Sequence, residues 1–559
     1  MAKLWSGWIR VVLAALSGLL AGYAALAVAE LVSAAVRPQA SPVVAVGGAA
    51  IDRTPPAVKD WAIRHFGTND KLVLQLGILA VLALFAMLLG VIALRYRKIG
   101  ALGVLLFGVV GALAATSRPD STGAADALPS VVGTVVAAGL LFWLIGRLRT
   151  HRPTLHAGGT AAEPSGSSAG AVATADDDET AGRPPAADAV GEGWDRRGFV
   201  VAATAAAAAS TGAGWLGLSL NGSSGQSAVA SRSKVVLPRP ASPAAAVPKG
   251  AELQIPGISP FFTPNTDFYR VDTALVVPKV DATTWRLTIH GKGVSRPRTV
   301  TFDDLIHGRA GELIERDVTL ACVSNEVGGP YVGNARWIGV RLADLLREAG
   351  VVPPSKGGPA DQLVARSVDG MTIGSPVEDV MDGRDAMLAV GMNGQPLPFE
   401  HGFPVRMLVP GLFGYVSACK WIEDIELTTF DAYDSYWVKR SWARRGPIKT
   451  ESRIDTPKPF ARPAQGTVMV AGVAWAQHRG IDRVEVRVDD GPWQPTDLAA
   501  QDTTDTWRQW SFPWKATTSG SHTLTVRATD RTGTVQTETR TPTIPDGASG
   551  WHSVVVTVQ

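Results

Sequence analysis

The chain divides by hydrophobicity into an apolar amino-terminal part and a more polar remainder. Long runs of Ala, Leu, Val and Gly occupy much of the first 220 residues. Five runs approach or reach the roughly 17–25 residues that a helix needs to cross a bilayer. They lie near residues 11–33, 72–94, 99–116, 128–146 and 199–220. This pattern predicts an N-terminal α-helical membrane bundle, with transmembrane helices 1–4 in residues 1–150 and a fifth span in residues 196–220.

Basic residues orient these spans. They cluster before the first span, between the second and third, after the fourth and before the fifth. The clusters are Lys3 and Arg10; Arg95, Arg97 and Lys98; Arg147, Arg149 and Arg152; and Arg196 and Arg197. If the spans alternate, all the clusters fall on one side, which the positive-inside rule makes cytoplasmic. We therefore expect a multi-pass protein of the cell membrane whose residues after about 221 lie on the extracytoplasmic side.

The fifth span begins with a twin-arginine pair. Arg196 and Arg197 are followed by Gly198, Phe199 and an Ala-rich apolar run, which resembles an internal twin-arginine export signal. The alternative is that two arginines simply follow the positive-inside rule. Residues 228–230, Ala-Val-Ala, resemble a small-residue cleavage site. Both a tethered and a released carboxy-terminal part are compatible with this pattern.

Two low-complexity segments flank the fifth span. Residues 151–195 and 221–250 are rich in small and polar residues and poor in large apolar ones. Such segments stay disordered because they cannot bury enough apolar surface to offset the loss of chain entropy. We predict a disordered cytoplasmic linker at 151–195 and a second linker at 221–250.

The remainder shows two patterns. Residues 251–450 mix short strands, as at 285–290, with helical pieces, as at 340–350, which predicts an α+β domain. Residues 451–559 alternate polar and apolar positions, as at 467–472, 483–488 and 522–528, with turn residues between them. This second pattern predicts a β-sandwich.

Composition excludes several classes of protein. The net charge of +3 and the absence of a basic run interleaved with aromatics argue against nucleic-acid binding. Two cysteines in 559 residues exclude a disulfide-rich fold. The apolar runs contain no histidine, and haem in a helix bundle usually needs axial histidines, so we predict no haem in this chain.

Cys322 is the most informative single residue. Taken alone, it is a candidate nucleophile, a metal ligand, a buried thiol or a disulfide partner of Cys419. Several motifs follow it in a fixed order: Asn334-Ala335-Arg336-Trp337, His401-Gly402-Phe403-Pro404-Val405-Arg406, Gly411-Leu412-Phe413-Gly414 and Lys420-Trp421. From about Phe262 onward, this set resembles the molybdopterin-binding domain of the sulfite oxidase family. The β-sandwich behind it resembles that family's immunoglobulin-like dimerisation domain.

The resemblance assigns roles to particular residues. It implies that the Cys322 thiolate binds molybdenum, a metal that takes soft anionic donors. It implies that His401, Arg406 and Lys420 hold the pterin and its phosphate, whereas a surface ion pair is the alternative for any one of them alone. Further cofactor contacts are implied for Asn265, Phe268, Tyr269, Arg270 and Ser417, with core packing as the alternative for Phe268.

The implied substrate pocket departs from the family pattern. Trp337 matches a tryptophan of the family's pocket, with burial in the core as the alternative. Trp442 falls where the family has its active-site tyrosine. The arginines that hold sulfite are replaced by Glu326 or Val327 and by the stretch 415–417. Without these arginines, the charge of a bound anion would be poorly compensated. The sequence therefore does not determine the identity of the substrate.

The resemblance implies a multi-domain enzyme with Mo-molybdopterin as cofactor. We expect an extracytoplasmic oxidoreductase that transfers oxygen atoms at a Cys-ligated molybdenum cycling between Mo(VI) and Mo(IV). Its expected partners are a small oxyanion, S-oxide or N-oxide substrate, an external cytochrome or quinone-linked electron carrier, membrane lipid, and a second copy of the chain through the C-terminal domain. A reductase of S-oxides or N-oxides is one alternative, and a non-catalytic membrane receptor that binds through its β-sandwich is another.

Overall fold

The computed structural model describes residues 2–55, 58, 65, 70–118, 121, 123–149 and 196–559. The linker predicted at 151–195 lies outside the described residues. The chain forms two compact units. The first unit consists of Met1–Gly47, Asp60–Thr116 and Ala124–Leu218, and the second of Gly48–Lys59, Ser117–Gly123 and Ser219–Gln559.

Long helices dominate the amino-terminal part. They are α1 (Ala2–Val36), α2 (Pro42–Arg53), α3 (Asp70–Arg95), α4 (Arg97–Thr116), α5 (Leu128–Arg149) and α6 (Arg196–Lys234). Among the described residues, five helices are long and apolar enough to cross a membrane: Gly7–Val36, Leu72–Arg95, Arg97–Thr116, Ala124–Arg149 and Arg197–Lys234. These five helices confirm the predicted apolar spans and indicate association with a membrane.

Small side chains allow the helices of the first unit to pack closely. Ala14, Ala21, Ala93 and Ala137 are buried between α1, α3 and α5 together with Leu141. Small residues at helix contacts let the backbones approach, which is how helices associate in lipid. The described part of this unit is therefore a packed bundle.

Helix α6 extends further than the sequence predicted. Residues 221–234 continue the helix to Lys234, so the expectation of a linker over the whole of 221–250 is wrong for this stretch. The stretch contains no proline, and tertiary contacts hold its end: Arg232 donates to the carbonyl oxygen of Leu397 at 2.7 Å. The candidate cleavage motif lies inside the helix, and Ala228 is buried.

Two sheets and four short helices build the central domain. The strands are β1 (Arg286–Gly291), β2 (Arg298–Thr301), β3 (Leu313–Ala321), β4 (Val332–Arg341), β5 (Gln362–Ser367), β6 (Thr372–Pro376), β7 (Met387–Met392), β8 (Gln395–Pro396), β9 (Arg406–Leu408) and β10 (Ile422–Thr428). The helices are α7 (Phe302–Ile306), α8 (Leu342–Glu348), α9 (Val377–Met381) and α10 (Gly414–Ser417). One sheet has the order β2-β1-β10-β5-β6 and the other β3-β4-β7-β8, with β9 paired to β7. The predicted α+β class is confirmed.

The second of these sheets positions the candidate site. All six residues of β7 are buried, as expected for a central strand covered on both faces. Strand β3 pairs with β4 in antiparallel register and ends at Ala321, so Cys322 is the first residue of the β3–β4 connection. The amide of Cys322 donates to the carbonyl oxygen of Tyr331 at 2.9 Å and closes that connection at its base.

The C-terminal domain is a β-sandwich. Its strands are β11 (Glu451–Thr456), β12 (Gly466–Trp475), β13 (Ile481–Val488), β14 (Gln494–Pro495), β15 (Asp497–Leu498), β16 (Arg508–Ala516), β17 (Gly520–Asp530) and β18 (His552–Val558). They form two four-stranded sheets, β11-β12-β16-β15 and β14-β13-β17-β18. Val470, Val484, Trp510, Val526 and Val556 are buried in one core cluster of this domain. The strands predicted at 467–472, 483–488 and 522–528 fall within β12, β13 and β17.

Candidate functional site

One cavity of the second unit collects most of the side chains that the sequence singled out. Seven of them line it: Phe268, Tyr269, Cys322, His401, Arg406, Lys420 and Trp442. They come from the start of the central domain, the residue after β3, the segment that leads into β9, the segment before β10 and the end of the domain. Their convergence depends on the fold, because they are widely separated along the chain.

The cysteine of the cavity is a buried, free thiol. The sulfur of Cys322 lies 2.9 Å from the hydroxyl oxygen of Ser324. Burial raises the pKa of the Cys322 thiol, while Ser324 and the charge of Lys420 act in the opposite direction. Cys419 is also free, so the alternative of a disulfide between the two is not what the structure contains. A buried thiol of this kind is a soft donor suited to a metal ion.

A glycine brings the cationic residues together. Gly402 has a φ of 108°, a conformation that favours glycine. A Cβ atom at this position would lie 3.1 Å from the Cα atom of Lys420 and 3.1 Å from the Cβ atom of Arg406. The absence of a side chain at Gly402 therefore lets the segment from His401 to Arg406 lie directly against Lys420.

Arg406 is a buried cation without an anionic partner among the described residues. Its Nη1 atom donates to the carbonyl oxygen of His401 at 3.3 Å, and its Nε atom has no hydrogen-bond partner. The guanidinium carbon lies 5.0 Å from the centre of the Trp337 ring. Burial lowers the pKa of Arg406 to about 10. An unpaired buried charge is costly, so this position calls for an anionic ligand.

His401 is held as a neutral ring. Its Nε2 atom lies 2.9 Å from the backbone carbonyl oxygen of Asn265, which can only accept, so Nε2 carries the hydrogen. Burial and the charge of Arg406 lower the pKa of His401 to about 4. The Nδ1 atom is then an acceptor at neutral pH, available to a donor of a bound group.

Lys420 is paired with a carboxylate that the sequence analysis did not single out. Its Nζ atom lies 3.0 Å from Asp272 and donates to the carbonyl oxygen of Glu400 at 3.2 Å. Asp272 also accepts from Arg270 at 3.2 Å. The only sequence signal for Asp272 was its position two residues after Arg270, which does not reveal the distant lysine.

Four predicted residues do not line the cavity. Trp337 is fully buried in the core and donates from its indole nitrogen to the carbonyl oxygen of Val318 at 3.1 Å. Ser417 is buried and donates to the carbonyl oxygen of Leu412 at 3.0 Å. These two side chains therefore lie behind the cavity wall.

The other two lie next to lining residues. Asn265 donates to the carbonyl oxygen of Met392 at 3.3 Å, and its own carbonyl is the one that holds His401. Arg270 is partly exposed and reaches the cavity only through its ion pair with Asp272. Both residues support cavity side chains rather than facing a ligand directly.

Aromatic side chains form another part of the cavity wall. The ring centre of Trp442 lies 6.2 Å from that of Trp437 and 5.8 Å from that of Tyr415. Met371 lines the same cavity. Trp437, Tyr415 and Met371 were not predicted as site residues. An isolated aromatic or methionine in a sequence is more often part of a core, so no local signal distinguished them.

The polar side chains that line the cavity include one cysteine, three basic residues and two carboxylates, Asp272 and Asp369. Among the described residues that line it, Arg406 is the only arginine. Glu326 and Val327, which stand where an anion-binding arginine was expected, are not among the lining residues. The cavity thus joins one buried thiol, three basic side chains and two carboxylates to a group of aromatic rings.

Comparisons with known proteins give two domain matches. Residues 274–437 match the family described as oxidoreductase molybdopterin binding domain. Residues 451–526 match the family described as bacterial Ig domain. The matched regions fall within the central α+β domain and the β-sandwich respectively.

Curated relatives match the same part of the chain. The mitochondrial sulfite oxidase of Mus musculus is 30% identical over 293 residues, covering 45% of this chain and 53% of the relative. Nitrate reductase [NADH] 1 of Oryza sativa subsp. japonica is 34% identical over 201 residues, covering 32% of this chain and 21% of the relative. This chain therefore spans about half the length of the mouse protein.

One solved structure is also similar. The sulfane dehydrogenase SoxCD from Paracoccus pantotrophus is 24% identical, with a TM-score of 0.45, covering 54% of this chain and 84% of that chain.

Proposed function

The central domain of this chain is a molybdopterin-binding domain of the sulfite oxidase family, and from this premise we propose that the protein is a membrane-tethered oxidoreductase that transfers oxygen atoms at molybdenum. The observation that carries the proposal is the pairing of Cys322 with Arg406 in one cavity. A buried thiol is a metal donor, and a buried guanidinium whose Nε lacks a partner is a site for an anion. Molybdopterin needs both, because it brings a metal and a phosphate.

The residues present fit this cofactor. When bound, it would supply two-electron oxygen-atom transfer, while the protein supplies binding, orientation and electrostatics. Cys322 would donate its sulfur to the metal. Arg406 would offset the negative charge of the cofactor, and Lys420 would add a second cation nearby. His401 would accept a hydrogen bond at Nδ1, because its Nε2–H is already committed to Asn265.

The first candidate reaction is the oxidation of a small oxyanion such as sulfite. Sulfite and water would yield sulfate, two protons and two electrons, and the electrons would pass singly to an external cytochrome or quinone-linked carrier. The resemblance of the domain to sulfite oxidases supports this candidate. The burial of Arg406 weakens the case for sulfite as the substrate, because that guanidinium lies with the cofactor-binding residues and cannot also hold the substrate.

A specific observation favours a second candidate, the reduction of an uncharged S-oxide or N-oxide. An S-oxide, two protons and two electrons would yield a thioether and water. The wall formed by Trp437, Trp442 and Tyr415 is aromatic, and Lys420 is paired with Asp272 at 3.0 Å. Such a wall suits an uncharged substrate better than sulfite, because a desolvated anion needs a cation that faces it.

We further propose that the catalytic part lies on the extracytoplasmic side of the cell membrane. The basic clusters at the ends of the spans support this orientation. The composition of the second unit also supports it, since Gly48–Lys59 and Ser117–Gly123 belong to the same unit as Ser219–Gln559. These two segments follow the first and third spans, so in an alternating topology both lie on the side opposite the basic clusters.

The export route and the assembly stay predictions. The pair Arg196 and Arg197 would direct export of the folded, cofactor-loaded protein, which suits a cofactor that is inserted in the cytoplasm. The β-sandwich would join two copies of the chain, and the apolar spans would contact lipid. A blue native gel would show whether two copies of the chain associate. Digestion of the catalytic part by protease added to spheroplasts would show whether that part has been exported.

Metal analysis and substrate screening test the function. The full chain, purified in detergent from a host that makes the cofactor, should contain molybdenum and pterin in equal amounts. Oxidation of sulfite with ferricyanide and reduction of sulfoxides with reduced viologen would separate the two candidate reactions. Cys322→Ser should abolish turnover, whereas Cys419→Ser, a change at a cysteine that does not line the cavity, should not. Unchanged turnover in Cys322→Ser would refute the assignment.

A further inference from the structure

We infer that the C-terminal β-sandwich completes the active site by holding the loop that carries Cys322, with Arg453 and His552 as positioning residues. This loop, the cysteine loop, consists of residues 322–331. The inference rests on the proposed role of Cys322 as the metal ligand. It gives the β-sandwich a function besides contact between copies of the chain.

The base of the cysteine loop is fixed by its own hydrogen bonds. The Cys322 amide donates to the carbonyl oxygen of Tyr331 at 2.9 Å, and the Asn325 amide donates to the carbonyl oxygen of Cys322 at 3.1 Å. The side-chain oxygen of Asn325 accepts from the Tyr331 amide at 2.8 Å. Within its tip, the loop makes one further backbone bond, from the Gly329 amide to the carbonyl oxygen of Glu326 at 2.7 Å. Any further restraint on the tip comes from elsewhere in the fold.

Arg453 of strand β11 supplies part of that restraint. One terminal nitrogen of its buried guanidinium donates to the carbonyl oxygen of Gly329 at 2.8 Å. Its Nε atom donates to Asp455 at 2.7 Å, and its other terminal nitrogen donates to the hydroxyl of Ser259 at 2.9 Å. The planar fork of an arginine is rigid, so two of its bonds fix the direction of the third. The bond to Gly329 is therefore aimed at the loop and not incidental to it.

His552, the first residue of β18, supports the loop tip from a second side. Gly328 has a φ of 80°, and a Cβ atom there would lie 2.2 Å from the His552 ring. The Nδ1 atom of His552 accepts from the Ile454 amide at 3.0 Å, which fixes the plane of the ring. The ring is thus a rigid surface against which Gly328 lies, and that surface is tied to the strand that bears Arg453.

These contacts form a continuous path from the β-sandwich to the sulfur of Cys322. Gly328 and Gly329 are the points of support, and Asn325 links the tip of the loop to its base. A shift of the tip would move the backbone of residues 322–325 and hence the direction of the thiol. Groups that orient a metal ligand from behind typically change metal affinity or activity by about 10–100-fold when they are altered.

The test compares three variants of the full chain. Arg453→Met removes the donors but keeps the length of the side chain, and Gly328→Ala places a methyl group against the His552 ring. Arg483→Met is the matched control, because Arg483 lies in the same domain with a side chain that is 53% exposed. The measurements are molybdenum content, the electron paramagnetic resonance spectrum of Mo(V), kcat and KM, and hydrogen exchange of residues 322–331 in cofactor-free protein.

The inference predicts a specific set of outcomes. Both loop variants should exchange faster over residues 322–331 and show altered Mo(V) g values. They should lose about tenfold or more in kcat with little change in KM, because the ligand and not the substrate wall is displaced. Arg453→Lys, which keeps one donor, should recover part of this loss. Arg483→Met should match the wild type in every measurement.

Two results would overturn different parts of the argument. If wild type contains molybdenum and the loop variants share its exchange rates and Mo(V) spectrum, the positioning role is wrong while the proposed function stands. If wild type contains no molybdenum, the proposed function itself fails. If Arg453→Met does not fold, the exchange rates and Mo(V) spectrum of Gly328→Ala alone decide whether the positioning role is right.

Discussion

Replacing Arg406 with methionine should change two properties of the protein in opposite directions. The guanidinium of Arg406 is buried, and the hydrogen bond that it makes among the described residues goes to the carbonyl oxygen of His401 at 3.3 Å. Removing the charge should therefore stabilise the cofactor-free form. In cofactor-loaded protein the same charge offsets that of the bound group, so the variant should fail to retain molybdopterin.

The expected gain follows from the desolvation of the charge. Burial lowers the pKa of Arg406 to about 10. At about 1.4 kcal/mol per pKa unit, the cost is on the order of 3 kcal/mol. Because the folded-state pKa is depressed, this cost is constant at every pH below about 10 and is relieved only above it. The gain should thus be the same at pH 6 and pH 8, and for a domain of this size it raises Tm by roughly 6–12 °C.

Thermal unfolding of the full chain in detergent measures this effect. Protein from a host that lacks cofactor synthesis gives the cofactor-free form, and tryptophan fluorescence follows unfolding of the central domain and the β-sandwich together, since both contain buried tryptophans such as Trp337 and Trp510. Arg347→Met is the matched control. Arg347 lies on α8, is 52% exposed and pairs only with Asp344 in the described contacts, so its loss should change stability by less than about 1 kcal/mol.

A lower Tm in the variant would give Arg406 a different role. If Arg406→Met lowered the Tm of the cofactor-free form, the guanidinium would be a structural residue with adequate partners in the empty fold. The idea that it is kept for an anion would then be wrong, even if the variant also lost the cofactor.

Three further predictions use the same cavity. Lys420→Met should destabilise the cofactor-free protein by about 1–3 kcal/mol, opposite in sign to Arg406→Met, because it removes one cation from the buried carboxylate of Asp272, which keeps its ion pair with Arg270; an equal or higher Tm would contradict this. The pKa of His401 is lowered to about 4, so its folded form resists protonation, and cofactor-free stability should fall as pH drops from about 6.5 towards 4. In unfolding curves measured over a pH series, His401→Gln should lose less stability between about pH 6.5 and 4 than the wild type does. The same pH dependence in both proteins would show that His401 is not the source of this loss. Trp442→Arg should lower the KM for sulfite about tenfold relative to an uncharged sulfoxide, since a charged hydrogen bond contributes about 1.5–3 kcal/mol; equal KM ratios would exclude Trp442 from the substrate wall.

The hydrophobic pattern predicted the class of each domain. It failed where contacts with distant residues determine the secondary structure. The five apolar runs and the strands at 467–472 and 483–488 have strong local patterns, and the structure contains them. Residues 221–234 are helical although their composition favoured a linker. Weak local preference is readily overridden by packing, as the contact of Arg232 with Leu397 illustrates.

The candidate site was predictable where the sequence carries motifs that resemble a known family. Cys322, His401 and Arg406 were singled out because their motifs resemble, in order, those of the sulfite oxidase family, and they line one cavity. Trp337 was assigned to the pocket by position in its motif, yet its ring is fully buried behind the wall, because spacing does not determine which way a side chain points. Asp272 left no usable signal, since its partner is far away in the sequence.

X-ray absorption at the molybdenum edge of the purified, cofactor-loaded protein would show whether Cys322 ligates the metal. Wild type should have one more sulfur donor than the pterin dithiolene provides, and Cys322→Ser should lose this donor while Cys419→Ser keeps it. A wild-type spectrum with no sulfur beyond the dithiolene pair would mean that Cys322 is not a ligand.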